Sequence, residues 1–161
     1  MTVKSIDTDL ERGVLELTAD FDASAEAVWQ LWADPRKLEQ WWGPPGYPAT
    51  FVEHEFSAGG RVTYYMTGPD GANYHGYWRV TSVNEPKAIE FTDGFANDDG
   101  TPNNDLPITT ALVECTEHDG GTRMVIRSTA STPEQMAQLA KMGMDEGLAA
   151  AVGQMDALLA S

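Results

Sequence analysis

Apolar and polar residues alternate with a period of two through most of this chain, and the rhythm changes to a helical one near its end. From Ser131 onward small or apolar residues recur at Met136, Ala140, Gly143, Met144, Gly147, Leu148, Ala151, Met155 and Leu158, the spacing of one helix face. Ser131 or Thr132 can cap the free N–H groups, Pro133 fits the first turn and Glu134 suits the positive end of the helix dipole. The pattern predicts one unbroken helix from Thr132 to Ala160, about 43 Å long at 1.5 Å per residue, too long to persist alone. The rest of the chain must wrap it.

Residues 1–12 read as a loosely held lead-in, and Gly13 to Phe21 as a strand. Ser24 opens a helix that carries Val28, Trp29 and Trp32 near one face and stops at Pro35. One more short turn fits Arg36 to Gln40, before a stiff loop, Trp41-Trp42-Gly43-Pro44-Pro45-Gly46-Tyr47. One of its two Trp rings is expected in the core and the other at a pocket rim. Six strands follow, at Thr50–Ser57, Gly60–Thr67, Tyr74–Val83, Ala88–Thr92, Ile108–Glu117 and Thr122–Thr129. Short turns join most of them and favour an antiparallel meander. Asp93 to Leu106 is the exception, a long polar loop expected to be mobile. An antiparallel sheet with one apolar face needs a cover, which the final helix supplies.

Period-two faces turn this layout into a pocket. Val62, Tyr64 and Met66 share a face, as do Gly76, Trp78 and Val80. Ile89, Phe91, Met124 and Ile126 complete that lining, while Phe51 lies on a strand with no cleanly apolar side. Opposite stands a helix whose middle is Gly143, Gly147 and Ala151, too slim to meet large rings. The residues expected around a ligand are Trp29 from the first helix, Trp41 and Trp42 from the loop, and Phe51, Tyr64, Met66, Trp78, Phe91 and Met124 from the strands. Met144, Gly147, Leu148 and Ala151 from the last helix close the set. An apolar concavity with a few polar tips suits a small molecule.

Charge narrows the partners. Ten basic against 25 acidic residues leave a net charge of -15, which repels nucleic acid and anionic membranes. Cys115 stands alone, residues 1–10 lack a signal-peptide pattern, and no run of about 18 apolar residues could span a bilayer. A cytoplasmic protein is expected, with an exposed edge strand as one route to a homodimer.

Specific catalytic chemistry is poorly signalled. His54, His75 and His118 are dispersed, with no HExxH or paired Cys, so no metal or other cofactor is expected. There is no G-x-S-x-G nucleophile motif and no phosphate-cradling loop. His75 and Tyr64, on adjacent strands, are the weak candidates for acid–base work. Glu90 is expected to face solvent and pair with Arg79.

The strings FDASAEAVWQLWADPRKLEQWWGPPG, GGRVTYYMTGPDG, GYWRVTSVNEPKAIEFT, GGTRMVIRS and GMDEGLAAAVGQMDALL resemble the bacterial single-domain relatives of the Hsp90 ATPase activator, within the START-like (SRPBCC) superfamily. The resemblance runs from about Leu15 to Ala160. It implies an α+β helix-grip fold over residues 13–161: a curved antiparallel sheet wrapped around a long C-terminal helix, with two short helices after the first strand. It further implies a hydrophobic or aromatic small molecule held between sheet and helix. The alternatives it brings are a cyclase- or hydrolase-type enzyme in the same cavity and a chaperone-interacting module. Many members carry Gly-Trp where this chain has Gly147-Leu148, so the missing ring should enlarge the cavity or alter its ligand.

Overall fold

In a computed structural model of the protein, which describes residues 3–159, eight strands form one antiparallel sheet. In chain order the elements are β1 (Val3–Asp9), β2 (Val14–Phe21), α1 (Ala25–Ala33), α2 (Pro35–Leu38), β3 (Ala49–His54), β4 (Arg61–Thr67), β5 (Asn73–Asn84), β6 (Ala88–Phe95), β7 (Thr109–His118), β8 (Gly121–Ala130), α3 (Pro133–Lys141), α4 (Met144–Val152) and α5 (Met155–Leu159). The strand order is β1-β2-β8-β7-β6-β5-β4-β3, so β3 to β8 run as the expected meander and β2 closes against β8. The sheet curves around the helices, as a helix-grip fold requires.

Registers make its inner face continuous. Val62 pairs with Trp78 and Tyr64 with Gly76; Val80 pairs with Phe91, Phe91 with Ala111, Val113 with Ile126, and Ile126 with Leu17. All ten of these residues are buried. The outer face carries the alternating polar set. Arg127 stands opposite Glu16 and Arg123 opposite Asp20. Arg123 donates two hydrogen bonds to Asp20, of 2.7 and 2.9 Å, and holds that carboxyl below its ordinary range.

Four sequence expectations change here. The lead-in is largely a strand: Val3 to Asp9 pairs with β2, with an irregularity between Val3 and Ser5. That irregularity and the exposure of an edge strand hide the alternation behind polar residues. The single C-terminal helix is three. Gly143 adopts the left-handed conformation, φ 86°, which ends α3 as a glycine readily does, and a turn at Gly153–Gln154 separates α4 from α5. The polar loop after Thr92 begins late, because β6 continues to Phe95 and an isolated bridge joins Ala96 to Pro102. Among the described residues Glu90 makes no ion pair with Arg79. A register shift between Val80 and Ser82 sets Glu90 opposite Ser82 and Arg79 opposite Thr92.

A second shift lies in β3, between Phe51 and Glu53, and explains why neither side of that strand reads as apolar. Phe51 is buried, Val52 is exposed, and His54 Nε2 lies 3.1 Å from the Trp32 carbonyl oxygen. Outside β3 the backbone of Phe51 is taken by α2 and its C-cap. Its N–H donates to Glu39 Oε2 at 2.8 Å, and its carbonyl accepts from Arg36 at 3.0 Å.

The core is an aromatic cluster under α1. Trp32 lies 4.8 Å from Trp41, 5.9 Å from Trp42, 6.0 Å from Trp78 and 6.3 Å from Phe91, centroid to centroid, and its indole N–H donates to Met124 Sδ at 3.4 Å. Trp41 donates to the Leu31 carbonyl at 2.8 Å. The Gln154 amide donates to the carbonyls of Gly43, at 2.7 Å, and Trp41, at 3.2 Å, and so ties the C-terminal segment to the tryptophan loop. Burial pushes the Cys115 thiol up to about 12, which leaves it inert as a nucleophile. No helix among the described residues is long and apolar enough to cross a membrane.

Candidate functional site

The aromatic cluster fills one end of the sheet's concave face; the other end is open. Stacked rings occupy the first region, with Trp78 and Phe91 centroids 4.2 Å apart. Beyond them the cover thins at the α3–α4 break. A Cβ built on Gly143 or Gly147 meets no atom within 4 Å. The result is a cavity of about 280 Å³. Its floor is the inner face of β4 to β8, including Tyr64, Phe91, Asp93, Thr109 and Ile126; its roof is Leu139, Met144, Gly147 and Leu148; Trp32 and Trp42 close one end. Engineered apolar cavities of roughly 150 Å³ already admit benzene, so a ring-sized guest fits. Tyr74 and Met142 border the cavity and are half exposed, 54% and 51%. They mark its mouth, where Tyr47 lies 6.1 Å from Tyr74.

Gly76 is needed for this shape. Directly across from Tyr64, it has no side chain, and a Cβ there would lie 2.5 Å from the Tyr64 ring and hydroxyl. The ring therefore lies flat against β5. Gly147 serves differently, since it leaves volume empty and is not strained. Gly147→Ala is expected to stabilise the protein by about 1 kcal/mol through helix propensity and a stiffer unfolded chain; a chemical denaturation midpoint that fails to rise would contradict the open space above that residue.

The polar groups are few and close together. Asp93 faces inward, paired with Trp78 on one side and Thr109 on the other. Its carboxyl makes no hydrogen bond or ion pair among the described residues, and burial alone raises it to about 7. The residue keeps partial accessibility where it borders the cavity. The Tyr64 hydroxyl is raised well above its ordinary range, mainly by burial and then by the Asp93 charge. The indole N–H groups of Trp42 and Trp78 lie near enough to that hydroxyl to favour its ionised form in part, yet neither completes a hydrogen bond. Among the described residues no Lys or Arg borders the cavity.

Of the residues expected around a ligand, Trp42, Tyr64, Met66, Phe91, Met144, Gly147 and Leu148 border the cavity. Trp29, Trp41, Phe51, Trp78, Met124 and Ala151 are buried but do not. Trp29 packs edge-on to Phe56 at 5.6 Å, Phe51 stacks behind Tyr64 at 5.0 Å, and Met124 is engaged by Trp32; these are supports behind the wall. The acid–base pair of His75 and Tyr64 is not assembled. His75 pairs with Tyr65, their rings 5.5 Å apart, on the opposite sheet face from Tyr64, and its Nε2 lies 3.9 Å from exposed Asp98. Sequence reasoning missed Asp93 and the lining role of Trp32. The signal for Asp93 was present: Ile89, Phe91, Asp93 and Phe95 continue one alternation, which a strand boundary at Thr92 cut short. Among the described residues no three His, Cys, Asp or Glu side chains form a group able to hold a metal ion.

A model of the family described as "Activator of Hsp90 ATPase homolog 1-like protein" matches residues 22–160. A protein from Mycobacterium smegmatis is 50% identical, with a TM-score of 0.91 over 98% of this chain and 96% of its own. One from Arthrobacter aurescens is 48% identical, with a TM-score of 0.94 over 99% of this chain and 92% of its own. A Rhodobacter sphaeroides protein shares the fold at 23% identity, with a TM-score of 0.82 over 97% of each chain. No curated protein matches significantly. With the helix-grip architecture, the match across nearly the whole sequence and two relatives at about half identity, the chain belongs to the Activator of Hsp90 ATPase homolog 1-like family.

Proposed function

We propose that the protein binds or carries an apolar, ring-bearing small molecule in the cavity between the curved sheet and the α3–α4 segment. The family suggests ligand binding or Hsp90 regulation without choosing. The observation that favours binding is an apolar void of about 280 Å³ in a protein whose neighbouring core is stacked ring on ring. Close packing is the rule in protein interiors, and voids of this size with one open mouth are where small molecules are held.

A bound ligand at a hundredfold excess over its Kd stabilises the native state by about 2.7 kcal/mol, which for a chain of this size raises Tm by about 5–10 °C. A thermal-shift screen with ring-bearing hydrophobes is expected to return such compounds, and the same compounds should quench Trp fluorescence through Trp32 and Trp42. Leu148→Trp, which places a ring in the void, is expected to keep the fold and abolish the shifts. No shift with any compound, or equal shifts in Leu148→Trp, would remove the binding reading.

Asp93 favours a second reading, catalysis on the bound molecule. A carboxyl near neutrality can take or give a proton at physiological pH. That reading expects a captured ligand to be chemically changed by the native protein and recovered intact from Asp93→Asn, as mass spectrometry of the extracted compound would show.

A further inference from the structure

Asp93 is the feature that ligand binding by apolar contact alone leaves unexplained. An apolar guest gains nothing from a carboxyl, and burying one without a partner is costly. Its position is well defined: it stands mid-sheet on β6, between Trp78 and Thr109, on the floor of the cavity. Aromatic faces surround the same space, from Trp32, Trp42, Tyr64, Phe91 and Phe95. A carboxylate among aromatic side chains, with no Lys or Arg bordering the cavity among the described residues, is complementary to a cation. The ordinary partner of a part-buried carboxylate, a Lys or Arg, is absent from the lining among the described residues, which leaves the place of the positive group to a ligand. The whole chain points the same way, since a net charge of -15 concentrates cations at its surface and repels anions.

Resting on the small-molecule reading above, we propose that the cavity selects a protonated amine attached to a ring-bearing apolar body, with the ammonium on Asp93 and the body against the aromatic walls and the Gly147–Leu148 roof. A carboxylic acid or phosphate would meet Asp93 as a like charge and find no cationic side chain in the lining.

Proton linkage gives this recognition a pH signature. Asp93 must be ionised to hold the ammonium, and its carboxyl stands near 7 in the empty protein. Tyr64 on β4 faces it and stays neutral throughout this range. Tyr74 and His75 on β5 are the other titratable groups bordering the cavity, with the His75 imidazole turned to the outer sheet face. No titratable residue of α3 or α4 borders it. Amine affinity therefore falls about tenfold per pH unit below 7 and is level from about pH 7 up to the pKa of the amine itself.

The test uses three probes of one shape, 2-naphthylmethylamine, 2-naphthylmethanol and 2-naphthoate, titrated calorimetrically into the native protein and into Asp93→Asn at pH 8, with the amine repeated at pH 5.5. The expected result is an amine bound at least tenfold more tightly than the alcohol, weakest binding by the carboxylate, and a loss of tenfold or more for the amine at pH 5.5. Asp93→Asn, an isosteric change, should erase the amine's advantage and leave the alcohol within about twofold. If the alcohol binds as well as the amine, if the carboxylate leads, or if Asp93→Asn keeps the preference, the amine assignment is wrong while the binding reading stands. If none of the three binds, both fail together.

Discussion

Trp32→Ala is expected to lower unfolding free energy by about 4 kcal/mol, within the range of roughly 3–5 for deleting a buried aromatic side chain, and Tm by about 8–16 °C for a domain of this size. The reasons are local and countable. Trp32 has no solvent exposure and lies within 6.3 Å of four aromatic rings, those of Trp41, Trp42, Trp78 and Phe91. Ring pairs of this kind add about 0.5–1.5 kcal/mol each beyond area burial. Its removal also takes the N–H from Met124 Sδ and joins its own volume to the existing cavity, so the surroundings have little to collapse onto. Trp32→Phe keeps most of the ring contacts and should recover more than half of the loss. Thermal and urea unfolding of both variants measures this; a drop of less than about 1 kcal/mol for Trp32→Ala would mean that the aromatic cluster is looser than its geometry implies.

Asp93→Asn is expected to stabilise the empty protein, with a gain that grows from about pH 4 and is complete above about pH 7. The folded state holds the Asp93 proton up to about pH 7, whereas an unfolded carboxyl releases it near 4. Between those values the native state binds more protons than the unfolded one, so stability falls as pH rises through the window. Full conversion of that difference is about 4 kcal/mol; water reaching the carboxyl through the cavity reduces it to about 2. Below about pH 4 both side chains are neutral and the two proteins should unfold alike. At pH 8 the variant should melt about 4–8 °C higher. The comparison cancels the general self-repulsion of the acidic surface, which is nearly the same in both. An equal difference at pH 4 and pH 8, or none at either, would show that the carboxyl is better solvated than its place on the floor suggests.

Much of this molecule could be read from residue order alone, and the failures share a cause. Period-two faces correctly set Val62, Tyr64, Trp78 and Phe91 inward, because a one-sided sheet forces its apolar residues to one face. What escaped were places where a polar residue occupies an inward position or a small one breaks an element. Asp93 reads as the first residue of a polar loop, although the alternation runs on to Phe95. Val3 to Asp9 reads as polar because an edge strand exposes most of its length. Gly143 was counted as part of a helix face, yet its left-handed backbone ends one helix and lets another start. The cavity wall was half legible for a related reason: sequence patterns say which side chains point inward but not how deep each lies. Trp78 and Met124 share the inner face with Tyr64 and stop short of the void because other rings stand in front of them.

The grip of Arg36 and Glu39 on the Phe51 backbone reaches beyond the site. It occupies the centre of one lateral margin of the sheet, where a foreign strand would need those same two amide groups. At that point of the margin an added strand can bond only after both α2-side groups, the Arg36 guanidinium and the Glu39 carboxylate, have let go.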